Sequence, residues 1–171
     1  GNGVLGRDMV SALVGCGANV AILDMNTELP EEFEQLLKNQ KGQYLVLKGD
    51  VLNRSALNDA AKEVQAKFGK IDCLINGGGG NHPKATTNPE NAFFDLPEEA
   101  VQFTSNLNLM GTILPSQVFG KIMAEQKAGV ILNVSSMNAF RPLTRIPAYS
   151  AAKAAVSNFT QWLSVHLAQE Y

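Results

Sequence analysis

Four short apolar runs, each bounded by turn residues, predict the strands of a sheet. They are Val20–Asp24, Tyr44–Lys48, residues 71–75 and residues 129–134. None of them alternates cleanly between apolar and polar positions, as a strand with one face in water does. The runs therefore favour parallel strands that are covered on both faces.

Between these runs, apolar residues recur three and four positions apart, which is typical of amphipathic helices. The pattern predicts helices over residues 7–16, 31–39, 54–68, 98–126 and 149–170. Asn53 is expected to cap the third helix and Gly69 to end it, because asparagine is a good N-cap and glycine a good helix terminator. The fourth helix is expected to break near Pro115.

The alternation of helix and strand indicates βαβ units, whose crossovers place helices on both faces of a parallel sheet. We therefore predict a doubly wound, three-layer α/β fold and a single domain over residues 1–171. Residues 81–97, rich in proline, asparagine and threonine, form the longest predicted loop. Folds of this kind bind ligands on the loops that follow the carboxyl ends of strands.

Composition narrows the classes of function. The chain has 171 residues, 45% hydrophobic and 18% charged, with a formal net charge of -2. This balance argues against nucleic-acid and membrane partners, and no apolar stretch approaches the length of a spanning helix. The two cysteines, Cys16 and Cys73, indicate neither a disulfide framework nor a metal site, so we expect a reducing, cytoplasmic setting without metal.

A glycine-rich turn opens the chain and points to a dinucleotide. Its residues are Gly1, Asn2, Gly3, Val4, Leu5 and Gly6, in the pattern G-x-G-x-x-G, and Asp24 lies 18 residues beyond Gly6. Such turns let backbone N–H groups approach a pyrophosphate. Asp24 would bind the adenosine ribose hydroxyls and repel a 2′-phosphate, which favours NAD over NADP. Asp50 is expected either to accept from an adenine amino group or to act as a loop aspartate.

Three further residues suggest acid–base chemistry. Tyr149 and Lys153 are four positions apart on a predicted helix and so share one face. A nearby ammonium group favours tyrosinate, which makes a tyrosine a usable base. Ser136 precedes Tyr149 by 13 residues and follows a predicted strand, where its hydroxyl could hold a substrate oxygen. The alternative is a solvated Tyr/Lys pair and a capping serine.

These motifs together resemble the short-chain dehydrogenase/reductase family. The resemblance rests on Tyr149-Ser-Ala-Ala-Lys153, Asn133-Val-Ser-Ser136, Asp72-Cys-Leu-Ile-Asn76-Gly-Gly-Gly79 and Asn108-Leu-Met-Gly111. It implies a Rossmann-type fold and a catalytic set of Ser136, Tyr149, Lys153 and Asn108, the last through a water-mediated proton relay. It also implies cofactor contacts from Asp50, Val51, Asn76, Gly77, Gly78, Tyr149 and Lys153.

Two loop blocks, residues 76–87 and 135–149, are similar to the D-mannonate oxidoreductase (fructuronate reductase) group and also to gluconate 5-dehydrogenases. The polar residues that we expect to bind a sugar acid here are Asn81, His82, Lys84, Asn138, Arg141 and Arg145. Cations suit a carboxylate and amides suit hydroxyls. Arg141 and Arg145 could instead be exposed to solvent or bridge subunits.

The resemblance has further implications for assembly and chain ends. It implies a first strand before residue 1 and further strands after Tyr171, so the chain is expected to be truncated at both ends. It implies a homotetramer or homodimer through the two long helices, with Phe159, Trp162 and Val165 as core or subunit contacts. Position 4 is Val where the family turn has glycine, and Gly77 replaces a usual asparagine.

Other functions remain as alternatives to a sugar-acid dehydrogenase. A different keto-polyol reductase of the same family is one, and a nucleotide-binding scaffold or regulator without turnover is another. A hydrolase is disfavoured because the chain has no G-x-S-x-G nucleophile motif.

Overall fold

The structure, a computed structural model, describes residues 1–171. It divides into two compact units, Gly1–Ile71 and Asp72–Tyr171. Each unit contains one pair of parallel strands together with helices. The prediction of a single domain over the whole chain stays a prediction.

The first unit alternates helices and strands from its beginning. Its elements are α1 (Val4–Gly15), β1 (Val20–Asp24), α2 (Glu31–Lys38), β2 (Tyr44–Lys48) and α3 (Arg54–Phe68). β1 and β2 pair in parallel, from Val20 opposite Tyr44 to Asp24 opposite Lys48. A parallel pair needs a long crossover, and α2 supplies it. Both strands have the predicted bounds, whereas α1 begins three residues earlier than predicted.

Apolar packing holds α1 and α2 against the strand pair. Val10, Val14, Ile22, Phe33 and Leu37 form one buried cluster, and Val14, Ile22 and Leu37 are almost completely removed from solvent. These residues come from the apolar stripes that predicted the helices and from the middle of β1. The burial pattern of the helices is therefore the one that the sequence indicated.

The ends of α3 confirm the predicted capping. Asn53 Oδ1 accepts a hydrogen bond from Ala56 N at 3.1 Å, which satisfies one free donor of the first turn. Gly69 ends the helix with φ +82°, a left-handed conformation that glycine adopts without steric cost.

The second unit carries the other strand pair and the three remaining long helical segments. Its elements are β3 (Cys73–Asn76), α4 (Glu98–Ser105), a π-helical turn (Asn106–Met110), α5 (Gly111–Gln126), β4 (Val130–Asn133) and α6 (Pro147–Glu170). Short 3₁₀ turns occur at Pro83–Ala85, Phe93–Asp95 and Met137–Ala139. β3 and β4 pair in parallel, from Cys73 opposite Val130 to Asn76 opposite Asn133.

The break predicted near Pro115 lies elsewhere. The helix widens into the π-helical turn Asn106–Met110, and α5 passes through Pro115 without interruption. A proline ring normally clashes with the carbonyl group four residues earlier, here that of Gly111. Gly111 has ψ -9°, which departs from the usual helical value near -42°.

Part of α6 is open to solvent. Trp162 and Val165 are each 57% exposed, which excludes the first of their two expected roles, core residues of this chain; the second, subunit contacts, stays a prediction. Phe159 and Trp162 stack with ring centroids 6.3 Å apart. Beyond the first three turns of α6, Phe159, Leu163 and Leu167 are half-buried, whereas Trp162 and Val165 are exposed.

No helix of the structure combines the length and the apolar character that crossing a membrane requires.

Candidate active site

In the unit formed by Gly1–Ile71, the glycine turn leads directly into α1. Gly3 is extended, and no side chain caps the first turn of the helix. The first N–H groups of an α-helix have no intrahelical partner, and the helix dipole attracts anions to this end. Gly6 must be glycine, because a Cβ here would collide with the carbonyl oxygen of Gly1. The turn thus leaves backbone donors open for an anion.

Asp24, the last residue of β1, lies beside this turn. Its Oδ2 accepts from the terminal ammonium group of Gly1 and from Asn2 N, each at 2.8 Å, and its Oδ1 accepts from Asn26 N at 3.1 Å. Partial burial raises the pKa of Asp24, but the hydrogen bonds that it accepts outweigh burial and hold the pKa below its ordinary value. A carboxylate has about four lone-pair sites, so Asp24 can still accept from a hydroxyl donor.

Asn2 adds an unsatisfied acceptor to the same turn. Its Nδ2 donates to the carbonyl oxygen of Glu28 at 2.8 Å, whereas its Oδ1 is buried and has no hydrogen-bond partner. Buried polar atoms are rarely left unpaired, so this oxygen marks a place where a ligand with a donor would fit. The sequence placed Asn2 in the turn that is expected to bind the cofactor, and this contact stays a prediction.

Asp50 and Val51 follow β2 in the turn before α3. Asp50 Oδ1 accepts from Leu52 N at 2.9 Å, and its main-chain oxygen accepts from Asn53 N at 2.9 Å. Asp50 therefore shapes the loop, as one of its two expected roles proposed. A contact with adenine remains a prediction for both residues.

In the unit formed by Asp72–Tyr171, Tyr149 and Lys153 lie one turn apart near the start of α6. Lys153 is only 4% exposed; its Nζ donates to the carbonyl oxygen of Val134 at 2.8 Å and lies 5.7 Å from the centroid of the Tyr149 ring. Burial lowers the pKa of Lys153 because it disfavours the ammonium form. The geometry brings the predicted pair together, with a desolvated cation beside the phenol ring.

Ser136 follows β4 and precedes the 3₁₀ turn Met137–Ala139, which packs against α6. Its Oγ accepts from Asn138 N at 3.2 Å, which leaves the hydroxyl proton available for donation. The neighbouring Ser135 instead contacts α6, with 2.6 Å between its Oγ and that of Ser157. The two consecutive serines therefore have different roles. Ser135 anchors the end of the strand to α6, and Ser136 presents a hydroxyl group.

Asn108 lies in the π-helical turn and is fully buried. Its Nδ2 donates to the carbonyl oxygens of Gly80 at 2.6 Å and Thr104 at 2.7 Å, and its Oδ1 accepts from Gly80 N at 3.2 Å. A Cβ built at Gly79 would lie 2.6 Å from Asn108 Oδ1 and 3.3 Å from Lys153 Nζ. Gly79 therefore separates the predicted Asn108 from the predicted Lys153 and leaves no space for a larger residue.

Asn76 supports the strand pair. It is buried, and its Nδ2 donates to Asn133 Oδ1 at 2.8 Å and to Ser116 Oγ at 3.0 Å. These bonds link β3 to β4 and to α5. Asn76 therefore supports the sheet, while its contact with a cofactor, and those of the neighbouring Gly77 and Gly78, stay predictions.

The predicted substrate residues lie on two loops that touch each other. Thr87 N in the loop after β3 donates to the carbonyl oxygen of Arg145 in the loop after β4 at 2.8 Å. Lys84, Arg141 and Arg145 are exposed, whereas Asn138 is buried. Because the two loops follow adjacent strands, they bring cations and amides into one region.

The sequence suggested that the Asn81 amide group is available to a substrate hydroxyl, whereas in the structure it is largely hydrogen-bonded within its own loop. Its Nδ2 donates to Thr86 Oγ1 at 2.7 Å and to the carbonyl oxygen of His82 at 2.9 Å, while its Oδ1 is buried without a partner. The amide group therefore shapes its own loop and leaves one acceptor unsatisfied.

Sequence reasoning missed a polar stripe along α4 and α5. Thr104, Thr112 and Ser116 are buried, and together with Asn108 they recur every four residues. Thr112 Oγ1 donates to the carbonyl oxygen of Asn108 at 2.9 Å, and Ser116 Oγ donates to that of Thr112 at 2.8 Å. Polar residues at positions i, i+4, i+8 and i+12 share one helix face, so their spacing was the signal that could have found them.

The chain belongs to the short-chain dehydrogenase family. The family model described as short chain dehydrogenase matches residues 1–171. This match confirms the predicted Rossmann-type α/β fold class. The fold and the Ser136, Tyr149 and Lys153 arrangement fit a family of nucleotide-dependent oxidoreductases.

Two curated proteins and one crystal structure are similar to this chain. The chain is 42% identical to an uncharacterized oxidoreductase of Haemophilus influenzae, over 98% of this chain and 62% of the relative. It is 40% identical to the uncharacterized oxidoreductase UxuB of Bacillus subtilis, over 99% of this chain and 64% of the relative. A Haemophilus influenzae crystal structure with bound NAD, described as a "putative D-Mannonate oxidoreductase", matches with a TM-score of 0.89 and 42% identity, over 98% of this chain and 64% of that one.

The chain thus spans less than two thirds of the length of these relatives.

Proposed function

We propose that this protein is an NAD-dependent oxidoreductase that interconverts a secondary alcohol and a ketone on a sugar acid, with D-mannonate and D-fructuronate as the substrate pair. The observation that carries the proposal is the buried Lys153 ammonium group beside the Tyr149 ring, 5.7 Å from its centroid. An acid–base tyrosine with a desolvated lysine has no use in a scaffold that only binds nucleotide.

The residues of the glycine turn fit a dinucleotide. Open N–H donors at the start of α1 would hold the pyrophosphate, and Asp24 would hold the adenosine ribose hydroxyls. The unpaired Asn2 Oδ1 offers an acceptor beside them. The NAD bound in the related Haemophilus influenzae structure supports this assignment. The Asp24 carboxylate would repel a 2′-phosphate, so NADP is the less favoured cofactor.

The residues of the second unit supply the proton chemistry. When bound, the nicotinamide supplies or accepts the hydride. Tyr149 then exchanges a proton with the substrate oxygen, and Ser136 donates a hydrogen bond to that oxygen. Lys153 places its Nζ 5.7 Å from the centroid of the Tyr149 ring and would also bind the nicotinamide ribose. Asn108 would continue the proton path through a water molecule.

The sugar-acid substrate is supported by the two touching loops. Lys84, Arg141 and Arg145 would attract a carboxylate, and Asn81, His82 and Asn138 would bind hydroxyl groups. The related NAD-bound structure is described as a D-mannonate oxidoreductase, which supports the same substrate class.

We also propose a homotetramer or homodimer located in the cytoplasm. The exposed Trp162 and Val165 on α6 support self-association, because apolar side chains on a helix surface are covered in an oligomer. Light scattering of the purified protein over a range of concentrations tests the assembly.

The test of function is the oxidation of NADH by the intact protein with a panel of keto-sugar acids led by D-fructuronate, with NADPH in parallel. Rapid turnover with D-fructuronate and NADH is the expected result. Turnover only with other keto-polyols would replace the substrate, as a gluconate 5-dehydrogenase-like activity would. NADH binding without turnover on any substrate would favour the nucleotide-binding scaffold.

A further inference from the structure

The segment Gly79–His82 is clamped by the helical stretch that carries Asn108. Asn108 holds both the N–H and the carbonyl group of Gly80, and Thr104 Oγ1 accepts from His82 N at 3.1 Å. The main-chain oxygen of Thr104 also accepts from Asn108 Nδ2 at 2.7 Å. One end of the segment is thus fixed by Asn108 and the other by Thr104, and the two residues are bonded to each other.

The Thr104 hydroxyl has its donor and acceptor roles fixed. The side chain is completely buried, and Oγ1 donates to the carbonyl oxygen of Ala100 at 2.9 Å. A hydroxyl group has a single proton, so toward His82 it can only accept. Because the residue is excluded from water, solvent cannot replace the hydroxyl if it is removed, and His82 N would be left unpaired.

The His82 ring is also oriented. Its Nδ1 accepts from Lys84 N at 3.1 Å, and its edge contacts the Phe103 ring at 5.4 Å between centroids with an interplanar angle of 74°. A neutral imidazole that accepts at Nδ1 carries its proton on Nε2. Protonation of Nδ1 would place two donors against each other and break the bond from Lys84 N. The bond from Lys84 N thus uses Nδ1 as an acceptor and leaves Nε2 as the ring nitrogen that can donate to a ligand.

We propose that Thr104 is a positioning residue that fixes the His82 segment, so that His82 offers Nε2–H as a donor to an oxygen of the substrate. The substrate half of this inference rests on the proposed function. Thr104 touches neither substrate nor cofactor; it acts through the main chain of His82. Thr104 thereby connects Asn108, which belongs to the proposed proton path, to His82, which is proposed to contact the substrate.

Kinetics of matched Thr104 variants give the first test. Thr104→Val keeps the shape of the side chain and removes the hydroxyl, while Thr104→Ser keeps the hydroxyl. We expect Thr104→Val to raise the KM for the keto-sugar acid about tenfold, the size of effect that one hydrogen bond has, with the KM for NADH unchanged. Thr104→Ser should restore most of the affinity. Equal losses for both substrates, together with a lower kcat, would overturn the proposal.

Two His82 variants separate its ring nitrogens. The amide nitrogen of glutamine reaches the position of Nε2, whereas the asparagine side chain reaches that of Nδ1. His82→Gln should keep most of the substrate affinity, and His82→Asn should keep the bond from Lys84 N but raise the substrate KM about tenfold. The opposite ranking would show that Nε2–H does not meet the substrate.

A nitrogen NMR measurement tests positioning without any turnover. The chain has two histidines, so His166 serves as an internal reference for the tautomer of His82. At alkaline pH the wild type should show the Nε2–H tautomer at His82, and Thr104→Val should mix the two tautomers. Thr112→Val, which removes an equally buried hydroxyl from the same polar stripe, should leave the His82 signals unchanged.

The combined outcomes separate the two proposals. A wild type that is inactive on all sugar acids but retains the single His82 tautomer would overturn the substrate while the positioning by Thr104 stands. Mixed tautomers in the wild type, or no change in Thr104→Val, would overturn the positioning whatever the activity is.

Discussion

Lys153 lies with its Nζ 5.7 Å from the centroid of the Tyr149 ring and donates a hydrogen bond of 2.8 Å to the carbonyl oxygen of Val134. The main chain that follows β4 therefore anchors the lysine, which sits beneath the tyrosine rather than in solvent. A Tyr/Lys pair at helical spacing is usually solvated, and the burial of Lys153 is the reason why we propose that this pair acts on a proton. The predictions below follow from it and from its neighbours.

Tyr149→Phe removes the only phenolic proton beside Lys153 and should lower kcat by a factor of about 10² to 10⁴, the usual contribution of general acid–base catalysis. NADH binding, measured by fluorescence titration, should be retained. Tyr44→Phe is the matched control, because Tyr44 lies on β2 and its hydroxyl donates to Glu34 at 3.5 Å. A Tyr149→Phe enzyme with near wild-type kcat would contradict the acid–base role.

Gly79→Ala should lower kcat by about two orders of magnitude, because the new methyl group would lie 2.6 Å from Asn108 Oδ1 and 3.3 Å from Lys153 Nζ. Gly80→Ala is the matched control, since a Cβ at Gly80 meets no atom within 4 Å. Steady-state kinetics and thermal melting of both variants test the expectation. Equal activity in the two variants would mean that Asn108 and Lys153 do not have to keep their positions.

The lowered pKa of Lys153 makes folding stability depend on pH. At pH values below the lowered pKa both folded and unfolded chains are protonated, and the folded state bears the cost of the buried charge. As pH rises from there toward 10.5, the ordinary value for lysine, the unfolded chain binds more protons, so the wild type gains stability.

Lys153→Met should remove this dependence. Urea unfolding across the alkaline range should show that the wild type gains stability relative to Lys153→Met as pH rises. Lys67→Met, a change at an exposed lysine on α3, serves as the control and should follow the wild type. Parallel curves for the wild type and Lys153→Met would show that Lys153 is not desolvated in solution.

Asp24→Ser should shift cofactor preference toward NADPH. The carboxylate that repels a 2′-phosphate is removed, and serine keeps a short polar side chain at the end of β1. We expect the ratio of kcat/KM for NADPH to that for NADH to rise about tenfold or more, since avoided like-charge repulsion is worth at least that factor. Asp50→Ser is the comparison, because Asp50 closes the turn before α3. A larger shift in Asp50→Ser would show that Asp50, and not Asp24, contacts the adenosine ribose.

Lys127→Gly should stabilise the second unit by about 1 kcal/mol. Lys127 ends α5 with φ +55°, a left-handed conformation that strains side chains other than glycine. The side chain is exposed, so little packing is lost. Thermal melting of Lys127→Gly and Lys127→Ala provides the comparison, with a gain expected for glycine alone. A similar gain for alanine would mean that the strain is not the cause.

The local chemistry of the sequence determined most secondary structure, while the motifs and the family resemblance predicted which residues make up the candidate site. Periodicity and capping residues gave β1 and β2 their bounds and α3 its two ends, because these depend on neighbours within a few residues. The same reasoning failed at Pro115. The backbone angle ψ of Gly111, four residues earlier, departs from the helical value, and a residue pattern does not predict such a change.

Tertiary structure decided which side chains are isolated from water and which groups they meet. The sequence named Asn108 and Lys153 but not Gly79 between them, and it named His82 but not Thr104, whose hydroxyl holds it. These contacts join residues 22 to 74 positions apart, and their burial depends on how the loops after β3 and β4 pack against α4 and α6. The sequence alone therefore predicted the chemical groups of the candidate site, while long-range packing decided their distances and their hydration, because desolvation and hydrogen-bond geometry exist only once distant segments are in contact.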